Sequence, residues 1–362
     1  MNMQGKRTHY FVAANSSAGY QNLIETNVTD LETVYVLTGE VTPCSYAVLA
    51  QTADRLTEQG IDLECIHSAY APDELDGLIL RQQKIGVFAD HLLPEGLEEC
   101  FSKVISIDLT GALTGSIDAE KLTVLGEQIH TASEKAYQTF AKAILVHDEW
   151  EAIYIGHMDF AKADRLTSKV IAMLLPETPV GEPTIARHRF FGGATYKGSL
   201  DYVPQITAPL SKRYFIKGRP GSGKSTMLKK IAQKAAALGY EVEVYHCGFD
   251  PKSLDMVLIQ PLNLCIFDST APHEYFPDSA RDEVIDMYAE LIDAGTDEAN
   301  QAALDDIRGR YQKIVQQGVA YLAEAKQHGD ARNALLEQSI DNGAVLSIID
   351  MLTLSLLSDC GL

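Results

Sequence analysis

The chain has 362 residues, 46% of them hydrophobic, and a formal net charge of −20. That is enough apolar material for two cores of about 180 residues each, and the acidic balance disfavours broad binding to nucleic acid or to anionic membranes, which need a basic surface. No apolar run reaches about 18 residues, so no membrane span is expected, and the polar opening Met1-Asn2-Met3-Gln4-Gly5-Lys6-Arg7-Thr8 does not read as a leader.

In chain order, the first half predicts strands at 34–37, 63–67, 85–88 and 104–108, then a helical region from about 118 to 175, broken near His147 and Asp159. The Pro-rich stretch 176–183 reads as a linker. The second half predicts a strand at 213–217, a helix over 226–238, strands at 241–247 and 264–268, and a helical region over 297–358, broken at Gly329-Asp330. Apolar strands alternating with helices imply parallel sheets covered on both faces, with ligands at the carboxyl ends of the strands. The expected fold is therefore α/β: two homologous P-loop NTPase-type parallel-sheet domains, 1–180 and 181–362, each followed by a helical region.

The two halves are repeats. At the offset that carries Gly39 onto Gly218, His9 falls on His188, Phe11 on Phe190, Gly19 on Gly198, Tyr35 on Tyr214, His67 on His246, Pro72 on Pro251 and Asp76 on Asp255. The register holds without a gap from His9 to about Phe88. A repeat of half the chain is far too long for a solenoid and indicates duplicated domains.

Between the strand at 213–217 and the helix after it stands Gly218-Arg219-Pro220-Gly221-Ser222-Gly223-Lys224-Ser225, followed by Thr226. This fits G-x-x-x-x-G-K-[ST], the loop whose N–H groups cradle the phosphates of ATP or GTP. Lys224 is expected on the β- and γ-phosphates and Ser225 on Mg²⁺. Asp268, ending a later apolar strand, is expected in the Mg²⁺ shell. In the first half Thr42, Cys44, Ser45 and Tyr46 replace Gly221, Gly223, Lys224 and Ser225. That copy keeps the pattern of the fold but loses the cation and the glycines, and is expected not to bind nucleotide tightly.

No glutamate follows Asp268, where many P-loop ATPases place their water-activating residue. Asp250, beyond the second strand, reads either as a general base or as the Asp of an Asp-Pro turn. His273 reads either in the same role as Asp250, as a base or substrate contact, or as a satisfied loop histidine, and His246, matched by His67, as structural. Arg308 and Arg310 are either lid arginines of the kind that stabilise a transferring phosphoryl group or solvated helix charges. Arg219 is placed to meet phosphate or the opposite domain. Six cysteines show no C-x-x-C or metal spacing and read as free thiols in a reducing cytoplasm. There is no guanine-reading N-K-x-D motif.

The stretches from Tyr214 to Thr226, Val244 to Pro251 and Phe267 to Pro277, with His147-Asp148-Glu149-Trp150-Glu151, resemble a family of duplicated P-loop ATPases of spore-forming and related bacteria, usually labelled ATPase or nucleotide-kinase-like. The resemblance spans most of the chain and implies ATP and Mg²⁺ as ligands. Members of that family can carry a P-loop in both halves, and the substitutions in residues 39–46 depart from this. The expected function is ATP hydrolysis or ATP-driven switching at one live site. A small-molecule or nucleotide kinase with Asp250 as base, and a non-catalytic nucleotide sensor acting through a protein partner, are the alternatives.

Overall fold

The computed structural model describes residues 4–362; Met1 to Met3, part of the opening stretch read above, lie outside the described residues. The first half runs β1 (Arg7–Tyr10), β2 (Ala13–Ser16), β3 (Gly19–Asn22), α1 (Glu25–Val28), β4 (Thr33–Thr38), α2 (Thr42–Glu58), β5 (Leu63–His67), β6 (Leu75–Leu80), β7 (Ile85–Ala89), β8 (Lys103–Asp108), α3 (Ala119–Ile155) and α4 (Phe160–Leu174). The second half runs β9 (Arg187–Phe190), β10 (Gly192–Thr195), β11 (Gly198–Asp201), α5 (Val203–Thr207), β12 (Lys212–Lys217), α6 (Lys224–Ala237), β13 (Val242–His246), β14 (Leu254–Ile259), β15 (Leu264–Asp268), β16 (Asp282–Asp286), α7 (Met287–Leu291), α8 (Thr296–Ala299), α9 (Gln301–Glu337) and α10 (Asn342–Asp359). Apart from α7 and α8, each element of the second half repeats one of the first.

The chain is α/β, but its large sheets are mixed rather than parallel. Their orders are β1-β5-β6-β7-β4-β8 and β9-β13-β14-β15-β12-β16. In each, the third strand runs antiparallel to both neighbours while the remaining pairs are parallel. The cause is connection length. β6 joins β7, and β14 joins β15, through one short 3₁₀ turn closed by Lys84 or Asn263 in the left-handed region. So short a link permits only a hairpin. The register slips at the same place in both copies, between Ile66 and His67 and between Tyr245 and His246. A third, four-stranded sheet has the order β11-β10-β2-β3.

Two compact units result. Among the described residues the first comprises 4–13, 22–134 and 321–362; the second comprises 14–21 and 135–320. They do not follow the halves, because the helical tails are exchanged. In the first unit Val345, Ile349, Leu352 and Leu356 of α10 enter the core formed by β4–β7 and by Val48, Leu49, Ala53 and Leu56 of α2. In the second, Val170 and Leu174 of α4 join Met227, Leu228, Ile231 and Ala235 of α6. Apolar residues at helical spacing make these faces.

Three boundaries differ from expectation. The stretch 176–183 is not a linker between units: it lies inside the second, where the Val180 and Thr184 N–H groups donate to Leu238 O and Ala236 O at the end of α6. α3 continues through His147 and breaks only after Ile155; Asp159 then caps α4 by accepting from Lys162 N. α9 continues through Gly329-Asp330 to Glu337, with an ion pair between Lys326 and Asp330 spanning that turn. One helix, Asn342–Asp359, is long and apolar enough by length and composition to cross a membrane; one face of it is the α10 face buried in the first unit's core.

Candidate functional site

The glycine-rich loop of the second unit sits between β12 and α6, at the carboxyl edge of the parallel strands. Three glycines are needed there. A Cβ on Gly218 would stand 2.6 Å from Ser222 Oγ, and Gly221 and Gly223 have φ of +75° and +86°, which L side chains rarely adopt. Gly223 is the residue before the first turn of α6, so the N–H groups of that turn open onto the loop. Ser222 is fully buried, and its Oγ has no hydrogen-bond partner among the described residues.

Lys224 Nζ donates to Arg219 O at 3.0 Å and lies 3.5 Å from Asp268 Oδ2. Ser225 Oγ accepts from Leu254 N at 3.0 Å. Thr226, next on α6, is exposed. Arg219 faces away from the loop: its guanidinium donates to Asp297 Oδ2 at 2.8 Å and stacks over Tyr288 with its carbon 4.7 Å from the ring centre.

A second carboxylate escaped the sequence reading as a site residue. Asp255 is on β14, and the pairing of Met256 with Phe267 brings it beside Asp268. Desolvation, reinforced by the Asp268 charge, pushes the Asp255 carboxyl up to about 7. The signal was present in its match to Asp76. In the first unit Asp76 is buried with Oδ2 3.3 Å from His91 Nε2. Burial pulls the His91 imidazole down, but the Asp76 hydrogen bond and charge outweigh it and hold its pKa above the usual value. The repeat therefore keeps an acid at this position of the third strand, buried against His91 in the first unit and half-buried beside Asp268 in the second.

The end of α3 covers the loop. A Cβ on Gly221 would meet Glu151 O at 2.8 Å and Ile155 Cγ1 at 3.0 Å, and one on Gly223 would meet Met158 Cε at 3.2 Å. Gly221 N donates to Glu151 Oε1 at 3.2 Å. Nothing in sequence spacing marks Glu151, whose partner is seventy residues away.

The remaining candidates are engaged elsewhere. Asp250 closes its own turn: Oδ1 accepts from Lys252 N at 3.2 Å and Oδ2 from Ser253 Oγ at 2.8 Å. Arg308 donates to Asp305 and lies over the Trp150 ring. Arg310 is held by Glu149 at 2.6 Å and Asp306 at 2.8 Å, and its hydrogen bond keeps the Glu149 carboxyl below the usual range.

The matching segment of the first unit has a different backbone. α2 begins at Thr42, whereas α6 begins at Lys224, the position matched by Ser45. Three residues that form loop in the second unit are wound into helix in the first, with Pro43 in the opening turn. Cys44 and Ser45 are buried there, and burial pushes the Tyr46 phenol well above its usual range.

Comparison with protein-family models, with curated proteins and with solved structures finds no match to the chain.

Proposed function

We propose that the second unit is a P-loop domain that binds ATP with Mg²⁺ at residues 218–225, and that the chain hydrolyses ATP slowly or uses it as a switch. The observation that carries this reading is Lys224, held at the mouth of the loop between Arg219 O and Asp268 Oδ2.

The residues suit the ligands. The Gly218 cradle and the Ser222 Oγ, without a partner among the described residues, offer a shaped polar seat for an anion. Asp268 faces the Lys224 cation with Asp255 beside it, and a divalent ion there would favour the charged form of both carboxyls. Ser225 and Asp268 would hold Mg²⁺. Mg²⁺ bound there with the nucleotide would supply charge neutralisation of the phosphates. Lys224 exchanges its carbonyl partner for phosphate oxygens, and the N–H groups of the loop and of α6 orient the triphosphate. Glu151 and Ile155 shield the Gly221 side of the loop from water.

Only one site is supported, because the first unit winds the corresponding residues into α2. A nucleotide-dependent switch without turnover is the second reading. It is favoured by Asp250, whose two carboxylate oxygens are both taken by its own turn and whose place as a base is thereby weakened. Calorimetric titration of the whole chain with a non-hydrolysable ATP analogue and Mg²⁺ tests the proposal. One analogue per chain is expected; none, or two, overturns it. ADP release without any added acceptor then separates hydrolysis from switching and from kinase activity.

A further inference from the structure

Ser199, His273 and Asp201 form a group whose chemistry differs from that of the residues assigned to nucleotide above, although His273 is close enough to Asp255 for their charges to interact. Ser199 Oγ is 3.0 Å from His273 Nε2, and His273 Nδ1 is 2.6 Å from Asp201 Oδ2. The hydroxyl, imidazole and carboxylate are thus in series, with the carboxylate on the ring nitrogen opposite the hydroxyl. Asp201 Oδ1 accepts from Tyr275 OH at 2.6 Å and from Val203 N at 3.0 Å, so every partner of this carboxylate fixes its orientation. Burial raises the Asp201 carboxyl, but the hydrogen bonds from His273 and Tyr275 outweigh it and keep the group ionised. In the neutral imidazole, a carboxylate at Nδ1 favours the tautomer whose Nε2 accepts from Ser199.

The imidazole is clamped. It meets Phe191 edge-on with ring centres 5.3 Å apart, and a Cβ on Gly192 would stand 2.8 Å from His273 Cε1. Its loop is anchored by Lys217 Nζ, which donates to Ser269 O and Tyr275 O. Ser199 itself is exposed. It lies on β11, the edge strand of the four-stranded sheet, where alternate N–H groups face away from β10.

The repeat separates chemistry from folding. In the first half Tyr20 and Asn22 stand at the positions of Ser199 and Asp201, and Ala13 at that of Gly192. Both copies keep the hairpin glycine, Gly19 or Gly198, with positive φ. Asn22 Oδ1 accepts from Ile24 N at 2.9 Å, the same turn that Asp201 makes with Val203. The hairpin and its exit turn therefore form without a serine, a histidine or a carboxylate. The second half carries all three, and a glycine where a Cβ would meet both Leu200 O at 2.6 Å and the His273 imidazole at 2.8 Å.

We infer that Ser199 is a nucleophile activated by His273 and Asp201, and that it hydrolyses small acyl esters that reach the open edge of β11. Ser199 Oγ bonds to the ester carbonyl carbon as His273 Nε2 takes the hydroxyl proton. The tetrahedral adduct collapses with cleavage of the ester C–O bond, and Nε2 returns the proton to the leaving alcohol. Water then attacks the acyl-serine, its proton passes through Nε2 to Ser199 Oγ, and the acid departs.

The full chain is treated with a fluorophosphonate probe, which a competent serine displaces at phosphorus with loss of fluoride, and the adduct is mapped by peptide mass spectrometry. One adduct per chain, on Ser199, is expected, together with p-nitrophenyl acetate turnover. Ser199→Ala removes both, and His273→Gln slows labelling by about a hundredfold. Asp201→Asn is the variant that preserves the fold, since Asn22 makes the same turn; its labelling also falls at least about tenfold while the melting temperature holds. No adduct on the wild-type chain under conditions that label chymotrypsin, an adduct only on another residue, or labelling unchanged in Asp201→Asn would each overturn the assignment.

Discussion

The Gly221 main-chain N–H donates to Glu151 Oε1 at 3.2 Å, and the Glu151 backbone lies over the same glycine. A side-chain carboxylate thus holds one of the donors that the proposed nucleotide site would offer to phosphate. A triphosphate arriving there meets a like charge and must displace it. Glu151→Gln keeps the size and a hydrogen-bond acceptor while removing the charge. We expect it to tighten binding of a Mg²⁺–ATP analogue by about three- to tenfold, the worth of one partly exposed charge at a binding site. Calorimetry reads this directly, and weaker binding in the variant would instead make Glu151 a supporting contact.

Lys224 and Ser45 occupy matched positions in the two repeats but different backbones. Lys224 begins α6 at the end of an open loop, and Ser45 is buried within α2. Lys224→Ala should weaken binding of the triphosphate analogue by at least about tenfold, since a charge-assisted hydrogen bond contributes about 1.5–3 kcal/mol. Ser45→Ala should leave binding within about twofold. Equal effects of the two substitutions would place the binding site elsewhere.

The glycine-rich loop and the strands beside it could be read from the chain because they rest on local pattern: an apolar run, glycines where φ is positive, and a helix-forming run. The third strand of each sheet was missed for a local reason too. Leu254 to Ile259 is a short apolar run, and such runs do not distinguish strand from helix by periodicity; its hairpin turn fixes the antiparallel direction only once Asn263 is seen in the left-handed region. The exchange of α4 and α10 has no local signature at all. Each helix has an apolar face, and nothing in the face names the sheet it covers. The same holds for Glu151 with Gly221 and for Asp201 with His273, pairs made by tertiary proximity across seventy or so residues.

Stability should depend on acid through the paired histidines. His67 Nε2 is 2.7 Å from His9 Nδ1, and its Nδ1 meets Pro72 O at 2.7 Å. Burial, and then the nearby His9, push the His67 imidazole down to about 4, against the opposing pull of the Pro72 carbonyl, Asp76 and Asp73. The unfolded chain takes up this proton near the ordinary value of about 6.5. Between those limits the unfolded state binds more protons, so stability is complete above about 6.5 and falls as pH drops towards 4. The His67 contribution is on the order of 3 kcal/mol over the full window. His188 and His246 form the same pair at 2.8 Å in the second unit, and burial lowers both, so they act in the same direction. Urea unfolding from pH 7 to pH 4.5 measures the slope, and proton NMR titration of His67 measures its midpoint. A flat profile with a His67 midpoint near 6.5 would remove the pair from the acid response.

Two glycines inside α9 should respond to alanine with opposite signs. Helix propensity favours alanine over glycine by about 0.8–1 kcal/mol at an interior position, and the substitution also restricts the unfolded chain. At Gly309 nothing lies within 4 Å of the added Cβ, so that gain is realised and Gly309→Ala should stabilise the protein by about 0.5–1 kcal/mol. At Gly318 the added Cβ would stand 2.2 Å from Phe140 Cε1 and 2.6 Å from Cδ1. Phe140 is fully buried and meets Phe249 edge-on, with ring centres 5.2 Å apart. Overpacking at such a buried ring costs about 1–3 kcal/mol, more than the propensity gain. Gly318→Ala should therefore lower the urea midpoint while Gly309→Ala raises it. The same sign at both positions would mean that α3 yields where Phe140 packs against α9, and that the close approach of these helices is not what requires glycine at 318.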